Sequence, residues 1–486
     1  MNGKHHTDQL SSLQKNDVEH VNDVSLHNKH AEPIEERSGE KAGAVEDAVF
    51  GTIEEGGPNY RNVGWLRTAL LMMKTQIGIG ALSIPGAFQN LGIVPGVIVL
   101  VFIASITTWA GHMVGCFKLA HPQLYGLDDA GGLIFGKVGK EILGIACQLY
   151  YVFTAASALL TVSTCLNALS DHAACTAVFV GVAAVLGLGM GSIQTLSRIS
   201  WVAWVGLVCI LISVFTITIS VGVQDRPPGA PQTGLWQSDY RIVGHPSFVE
   251  AMSSISTIIF AFTGTPYFIP IISEMKNPRD YFKSLYACQA IVFTVYLIIG
   301  IIVYYYCGSY VASPALGSAG PMMKKVSYGL ALPGLLVTTM IVCHVPAKNI
   351  FVRLLRGSRH LVNNTLIHWS IWLSCITGVV VIAYIIASVI PVFNTLLSLI
   401  GALLGTFITM QPYSAMWIYD NWSMRVDHNG PQKVIWTARF VWAIFVIVVG
   451  TFCMIAGTYS AVVDIKQVYK NAHGSAAWSC ADNSSG

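Results

Sequence analysis

Charge is what this sequence has least of: 11% of its 486 residues are Asp, Glu, Lys or Arg, where soluble domains average about 25%. That shortage argues against an ordinary soluble multidomain enzyme. The net charge of +3 comes with no dense basic cluster, so no nucleic-acid partner is expected. Among the 11 cysteines there is no CxxC pair, and the disulfide-scaffold class fails on composition. Most of the thiols (Cys116, Cys147, Cys165, Cys209, Cys343, Cys375, Cys453) sit in apolar runs as small hydrophobes. No HExxH motif and no Asp pair within an apolar run is present, so neither an enzyme nor a bound metal or cofactor is expected.

What is there is apolar surface. Hydrophobic residues make up 53% of the chain, and the mean hydropathy is +0.58. Residues 1–60 stand apart: they hold 12 of the 25 acidic residues against five basic ones and almost no long apolar side chains. Such a segment cannot offset its own ordering entropy, which predicts a disordered acidic tail. It lacks an apolar h-region, so it is not a signal peptide. Its lysines are open to regulatory modification on the cytosolic side. A membrane domain is expected over 61–460, with a further tail over 461–486.

A membrane-crossing helix needs about 20 mostly apolar residues. Eleven windows qualify, near 67–90, 93–118, 141–169, 174–193, 199–223, 248–273, 284–311, 327–352, 367–389, 392–418 and 434–459. The expected fold is an all-α polytopic membrane protein embedded in the lipid bilayer. With the N-terminus inside, thirteen Lys and Arg fall on inner loops and six on the outer loops and outer tail. The positive-inside rule therefore places the N-terminus in the cytosol and, with eleven spans, the C-terminus outside. The sequons at Asn363 and Asn421 then lie on the cytosolic side, and the one at Asn483 lies outside, near the end of the chain. Tyr304, Tyr305, Tyr306, Trp417, Trp422 and Trp436 suit interfacial aromatic belts, and Asp128 to Gly139 suits a short interfacial helix.

Two spans are built to break. Span 1 carries Gly78 and Gly80 and then Pro85-Gly86; span 6 carries Thr263-Gly264-Thr265-Pro266. Gly and Pro are poor material for a continuous helix, and irregular backbone survives in hydrocarbon only where it lines a cavity or is re-satisfied by neighbours. The breaks fall at the first helix of each set of five. That placement predicts a 5+5 inverted repeat, helices 1–5 (about 67–223) and 6–10 (about 248–418), with helix 11 (about 434–459) added. Half-helix N-termini suit a carboxylate, and unwound carbonyls suit an ammonium or a cation. A zwitterionic amino acid satisfies both.

The stretch from Gly78 to Gly92 (GIGALSIPGAFQNLG) resembles the first-helix signature of the amino acid/auxin permease family. Phe260-Ala261-Phe262-Thr263-Gly264, followed by Glu274-Met275-Lys276-Asn277-Pro278, is similar to that family's sixth helix and its cytosolic exit. The likeness runs from about Asn62 to about Tyr459 and is strongest to fungal neutral amino acid permeases of the methyltryptophan-resistance type. It implies a leucine-transporter-like fold and secondary active uptake, usually proton-coupled in fungi. Carried onto this chain, the substrate carboxylate meets the backbone of Ile79, Gly80 and Ala81, beside Gly78. The ammonium meets carbonyls near Thr75, Gln76 and Phe262 to Gly264. Gln76, Ser83, Phe262, Thr263 and Thr265 supply candidate pocket walls.

Charge placement narrows the substrate. Glu141, Glu250 and Glu274 all lie near span ends, so nothing central would neutralise a cationic side chain. The substrate is expected to be a neutral L-amino acid, aliphatic or aromatic. Candidates for ion coupling are Lys74, just before the first break, and His344 and Lys348, four apart on one helix face. Lys74 also fits a snorkelling lysine near the cytosol. In sodium-driven relatives of this fold the helix 1–helix 8 contact holds the metal, where a lysine would replace its charge or carry the coupling proton. Thr338 and Thr339 are the oxygen ligands if sodium is used. The resulting expectation is an importer of neutral amino acids by proton symport with alternating access, in the plasma membrane. A sodium-coupled symporter and a vacuolar transporter of the same fold stay open. A pore would need a re-entrant filter or polar ring, which the sequence lacks.

Overall fold

The computed structural model describes residues 45–47, 51–53, 62–193, 196–361, 365–390, 392–424, 431–471, 478 and 480–484. The acidic tail, the sequon asparagines at 363 and 364, and Arg425 lie outside the described residues, apart from two three-residue strands, Val45–Asp47 (β1) and Gly51–Ile53 (β2), which pair. Everything below concerns the second of the chain's two units, Glu46–Gly486.

That unit is helical. Span 1 is two helices, Trp65–Gln76 (α1) and Ile79–Leu91 (α2). Ile93–Ala120 (α3), Leu127–Ser170 (α4), Thr176–Gly191 (α5) and Leu196–Val223 (α6) complete the first half. Span 6 is Phe248–Phe262 (α7), a 3-10 turn at Thr265–Tyr267, and Phe268–Ser273 (α8). Tyr281–Cys307 (α9), Pro321–Leu355 (α10) and Leu366–Val389 (α11) follow. Span 10 is composite: Phe393–Leu399 (α12), a π-helical turn at Ile400–Gly405, Thr406–Thr409 (α13) and Gln411–Asn421 (α14). Pro431–Asn471 (α15) ends the bundle. Among the described residues nine helices are long and apolar enough to cross a membrane. The broken span 1 and the 16-residue α5 are the remaining two of the eleven windows, and both fall short of that length.

Local chemistry explains several boundaries. The interfacial helix expected over 128–139 is a short first segment of α4 that ends at a break at Gly136, whose φ of 69° lies in the left-handed region that glycine tolerates; span 3 starts beyond it. Ser247 and Glu250 form a reciprocal capping box that starts α7. Gly401 sits where a Cβ would lie 1.9 Å from the Ser256 carbonyl oxygen, so only a glycine lets the π-helical turn meet α7 backbone to backbone.

Burial sorts the spans. In its most apolar window span 6 is 94% buried, against 33% for α3, so span 6 is the central element and α3 faces lipid on one side. Helices α4, α5, α10 and α11 pack on one another as a four-helix body, and α6 lies along α10. On the other side α2 packs on α7, and α9 supports α1, α2 and α3. Two aromatic-belt expectations are corrected. Tyr304 is buried, its hydroxyl accepting from the Arg241 N–H at 2.9 Å, and Trp417 is buried; Tyr305, Tyr306 and Trp422 are exposed. Of the cysteines read as small hydrophobes, Cys116 is exposed; Cys175 and Cys480, outside that set, are bonded to each other.

Candidate substrate site at two broken helices

The first break is at Ile77-Gly78. Helix α1 ends at Gln76, and α2 restarts at Ile79 with Gly78 in extended backbone (φ −171°). The first turn of α2 therefore presents the N–H groups of Ile79, Gly80 and Ala81, which the helix they open does not use. The second break is at Thr263-Gly264, with Pro266 in the first turn of the 3-10 segment that follows, a position where its missing N–H costs nothing. Pro85, expected to help break span 1, instead lies inside a continuous α2.

Three glycines bring the breaks into contact. A Cβ on Gly264 would lie 2.8 Å from Gln76 Cγ and 3.0 Å from Thr75 Oγ1. One on Gly80 would lie 2.8 Å from the Tyr296 hydroxyl and 2.9 Å from Ala261 Cα, and one on Gly78 would lie 2.9 Å from Thr338 Oγ1. The two unwound segments thus touch each other directly, with α10 behind the first. Residues of both breaks predicted from sequence converge here: Thr75, Gln76, Gly78, Ile79, Gly80, Ala81, Ser83, Phe262, Thr263 and Thr265 are all within the packed interior, most of them fully buried.

The exposed carbonyls of both breaks are met by tyrosines that sequence reasoning missed. Tyr296 from α9 places its hydroxyl 2.8 Å from Gln76 O and 3.0 Å from Ala261 O, bridging the two spans. From α4, Tyr150 donates to Thr263 O at 2.5 Å and Tyr151 to Pro266 O at 2.7 Å. Phe262 stacks edge-on to Tyr296, with centroids 5.0 Å apart. The available signal was a tyrosine in mid-span, since a buried phenol needs a partner. Several expected side-chain ligands turn back onto their own helices: Thr75 to Met72 O, Ser83 to Gly80 O and Thr263 to Ile259 O. Gln76 does not. Its Oε1 is buried with no hydrogen-bond partner, and its Nε2 reaches only Cys288 Sγ at 3.8 Å.

The coupling candidates separate into three places. Lys74 is 1% exposed, and its Nζ lies 3.4 Å from the Gly206 carbonyl of α6. A Cβ on Gly206 would meet Val337 of α10, so the ammonium sits where α1, α6 and α10 come together. This is no snorkelling position. Thr338 faces Gly78, while Thr339 lies against Gly187 of α5 and is farther from the break. His344 is buried beside Trp372, with Nδ1 3.4 Å from Gly191 O, and it borders a cavity of about 10 Å³ shared with Thr75 and Tyr267. Lys348, on the same face, pairs with Glu274 at the end of α8; both are buried. Among the described residues no group of three or more His, Cys, Asp or Glu is arranged to hold a metal ion.

Both ends of the site are tied. On the side of Glu274, the strand-like residue Val63 donates to Glu274 O at 3.1 Å and accepts from the Lys276 N–H at 2.9 Å. On the opposite side, Asn90 of α2 donates to Ser254 of α7 at 3.0 Å, and the Ile93 and Val94 N–H groups bond Arg241 and Ile242 carbonyls. A cavity of about 10 Å³ has room for one water-sized sphere.

Comparison with known proteins agrees with the geometry. The family model of the transmembrane amino acid transporter protein matches residues 61–463. A transmembrane transporter of Gibberella moniliformis is 36% identical over 428 residues, covering 88% of this chain and 89% of that one. The N amino acid transport system protein of Neurospora crassa is 29% identical over 461 residues, covering 92% and 96%. Among solved structures, the nucleobase-cation-symport-1 family transporter Mhp1 in a closed conformation superposes with a TM-score of 0.52 at 14% identity, covering 85% of this chain and 95% of that chain. The fold is thus that of the leucine-transporter-like secondary transporters, and the chain, a multi-pass membrane transporter and not an enzyme, belongs to the transmembrane amino acid transporter family.

Proposed function

We propose that this transporter imports neutral amino acids, aliphatic and aromatic, by proton symport with alternating access across the plasma membrane. The observation that carries the reading is the meeting of the two breaks. The start of α2 at Gly80 lies against the Tyr296 hydroxyl, whose single proton the carbonyls of Gln76 and Ala261 share. One hydroxyl cannot fully serve two carbonyls, and Gln76 Oε1 beside them has no donor at all. An α-ammonium brings the missing protons, and its own carboxylate suits the helix start.

Selectivity for neutral side chains follows from what surrounds the site. Glu274, a buried carboxylate at the end of span 6, is already paired with Lys348, so it is not free to compensate a buried cationic side chain. For coupling, Lys74 is the favoured carrier: it is buried, one residue from Thr75, and held by a carbonyl where α1, α6 and α10 meet. His344 borders the small cavity next to Thr75 and is the second carrier. A sodium-coupled mode would use the Thr338 hydroxyl opposite Gly78 instead.

The test is uptake of labelled leucine in transport-deficient cells with unlabelled competitors. Phenylalanine and other neutral amino acids should compete, and lysine and glutamate should not. Competition by lysine equal to that by phenylalanine would overturn the substrate assignment. Localisation of a tagged chain to the vacuolar membrane would move the same chemistry to that compartment.

A further inference from the structure

Cys175 and Cys480 form a disulfide across a separation of 305 residues. Cys175 precedes α5, and Cys480 belongs to the C-terminal segment. The covalent bond fixes one point; hydrogen bonds fix the rest. Thr176 Oγ1 donates to Ala481 O at 2.6 Å, and Asn167 Nδ2 donates to Asn483 Oδ1 at 2.7 Å. Asn483 Nδ2 reaches Ser163 Oγ at 3.3 Å, and Lys324 Nζ reaches Ser484 Oγ at 3.2 Å. The Trp478 N–H bonds Ser388 O at 2.9 Å, and its ring lies 5.4 Å from that of Tyr384.

These partners sit at the ends of α4, α5, α10 and α11, the four helices that pack as one body. Asn167 is fully buried, and the tail supplies an acceptor for its amide. Ser484 is itself buried. A disulfide persists on the oxidising side of a membrane and is rare in the cytosol. The positive-inside count independently puts this end on the non-cytosolic face.

We propose that Trp478 and residues 480–484 form a fastened strap on the non-cytosolic face, closed by the Cys175–Cys480 bond. The fastened strap holds Asn483 of the Asn483-Ser484-Ser485 sequon against α4, out of reach of glycosylation. The inference does not depend on the transported substrate. It rests on the C-terminal side facing away from the cytosol. Because the strap joins helices that already pack together, unfastening it leaves substrate affinity unchanged and loosens only the end of that body.

The test is mass spectrometry of the full-length chain, alkylated in cells before lysis and digested without reduction. A linked peptide pair carrying Cys175 and Cys480 is expected, with Asn483 unmodified. Alkylated Cys175 and Cys480 on separate peptides would overturn the strap, as would a glycan on Asn483 in the wild-type chain. In Cys480→Ser, Asn483 should gain glycosidase-sensitive mass that Ser485→Ala removes. The wild-type chain treated with a membrane-impermeant reductant should keep the same uptake KM while losing activity on heating several-fold faster. A changed KM would overturn the assignment of the strap to one rigid body.

Discussion

Replacing Tyr296 by Phe removes one hydroxyl and almost no volume, at the point where the two broken helices meet. The side chain is fully buried, and its oxygen lies 2.8 Å from Gln76 O and 3.0 Å from Ala261 O. Leaving a buried carbonyl without its donor costs about 1–3 kcal/mol, a factor of roughly 5 to 150 in the population of the closed, empty state. Tyr296→Phe should therefore unfold at a lower temperature than wild type when no substrate is present. If a substrate ammonium takes the same carbonyls, bound substrate supplies the missing protons and restores most of the loss. The assay is thermal unfolding of purified protein with and without saturating leucine or phenylalanine. The shift caused by substrate should be larger in Tyr296→Phe than in wild type. A variant as stable as wild type when empty, or one that substrate stabilises less than wild type, would refute the exchange of hydroxyl for ammonium.

Four further outcomes are expected. Lys348→Met leaves Glu274 buried without its partner and should cost about 3–5 kcal/mol, whereas the double change with Glu274→Leu should recover most of it; chemical unfolding of the three proteins distinguishes this from two independent losses. Gly264→Ala forces a methyl to within 2.8 Å of Gln76 Cγ and should cost about 1–3 kcal/mol by overpacking, read as roughly a tenfold loss of uptake at retained surface level. Asp239, in the loop between α6 and α7, is pushed up by burial, but the stronger sum of Ser309 hydroxyl and N–H bonds holds its carboxyl below the ordinary range. Its contribution to stability is then present above the unfolded-state value of about 3.9 and lost as pH falls through the lower folded value. Asp239→Asn should flatten the fall in thermal stability between about pH 4 and the lower folded value, and an unchanged profile would remove the effect. Lys74→Ala should retain substrate binding in thermal-shift assays while reducing or uncoupling proton movement.

The parts of this protein that were legible in sequence are those written in local patterns. Eleven apolar windows and their Lys and Arg flanks encode the bundle, and Gly78, Gly264 and Pro266 mark the breaks, because glycine and proline act on the residues next to them. Pro85 misled for the same reason: its local effect is outweighed by the packing of α2 on α7 and α9. What the sequence did not disclose is long-range. Tyr150 and Tyr296 serve carbonyls 113 and 220 residues away, and Glu274 finds Lys348 across 74. Hydropathy places Glu274 at a span end, near water; the fold folds Val63 over it and buries it. Lys74 likewise reads as a lysine near the cytosol until α6 presents the Gly206 carbonyl to it. Cys175 and Cys480 carry no local signature, and only the return of the C-terminal segment to α4 and α5 joins them.

The central claim is that a neutral amino acid and a proton cross together through the seam between the two breaks. Its most direct test is uptake of labelled leucine and phenylalanine into proteoliposomes holding the wild-type chain, with imposed pH or sodium gradients and a proton dye inside. The account predicts uptake driven by outside acid, matched by inward proton movement, abolished by a protonophore and indifferent to sodium. Uptake that follows the sodium gradient and ignores pH would contradict it, and would shift the coupling site from Lys74 to the Thr338 hydroxyl beside Gly78.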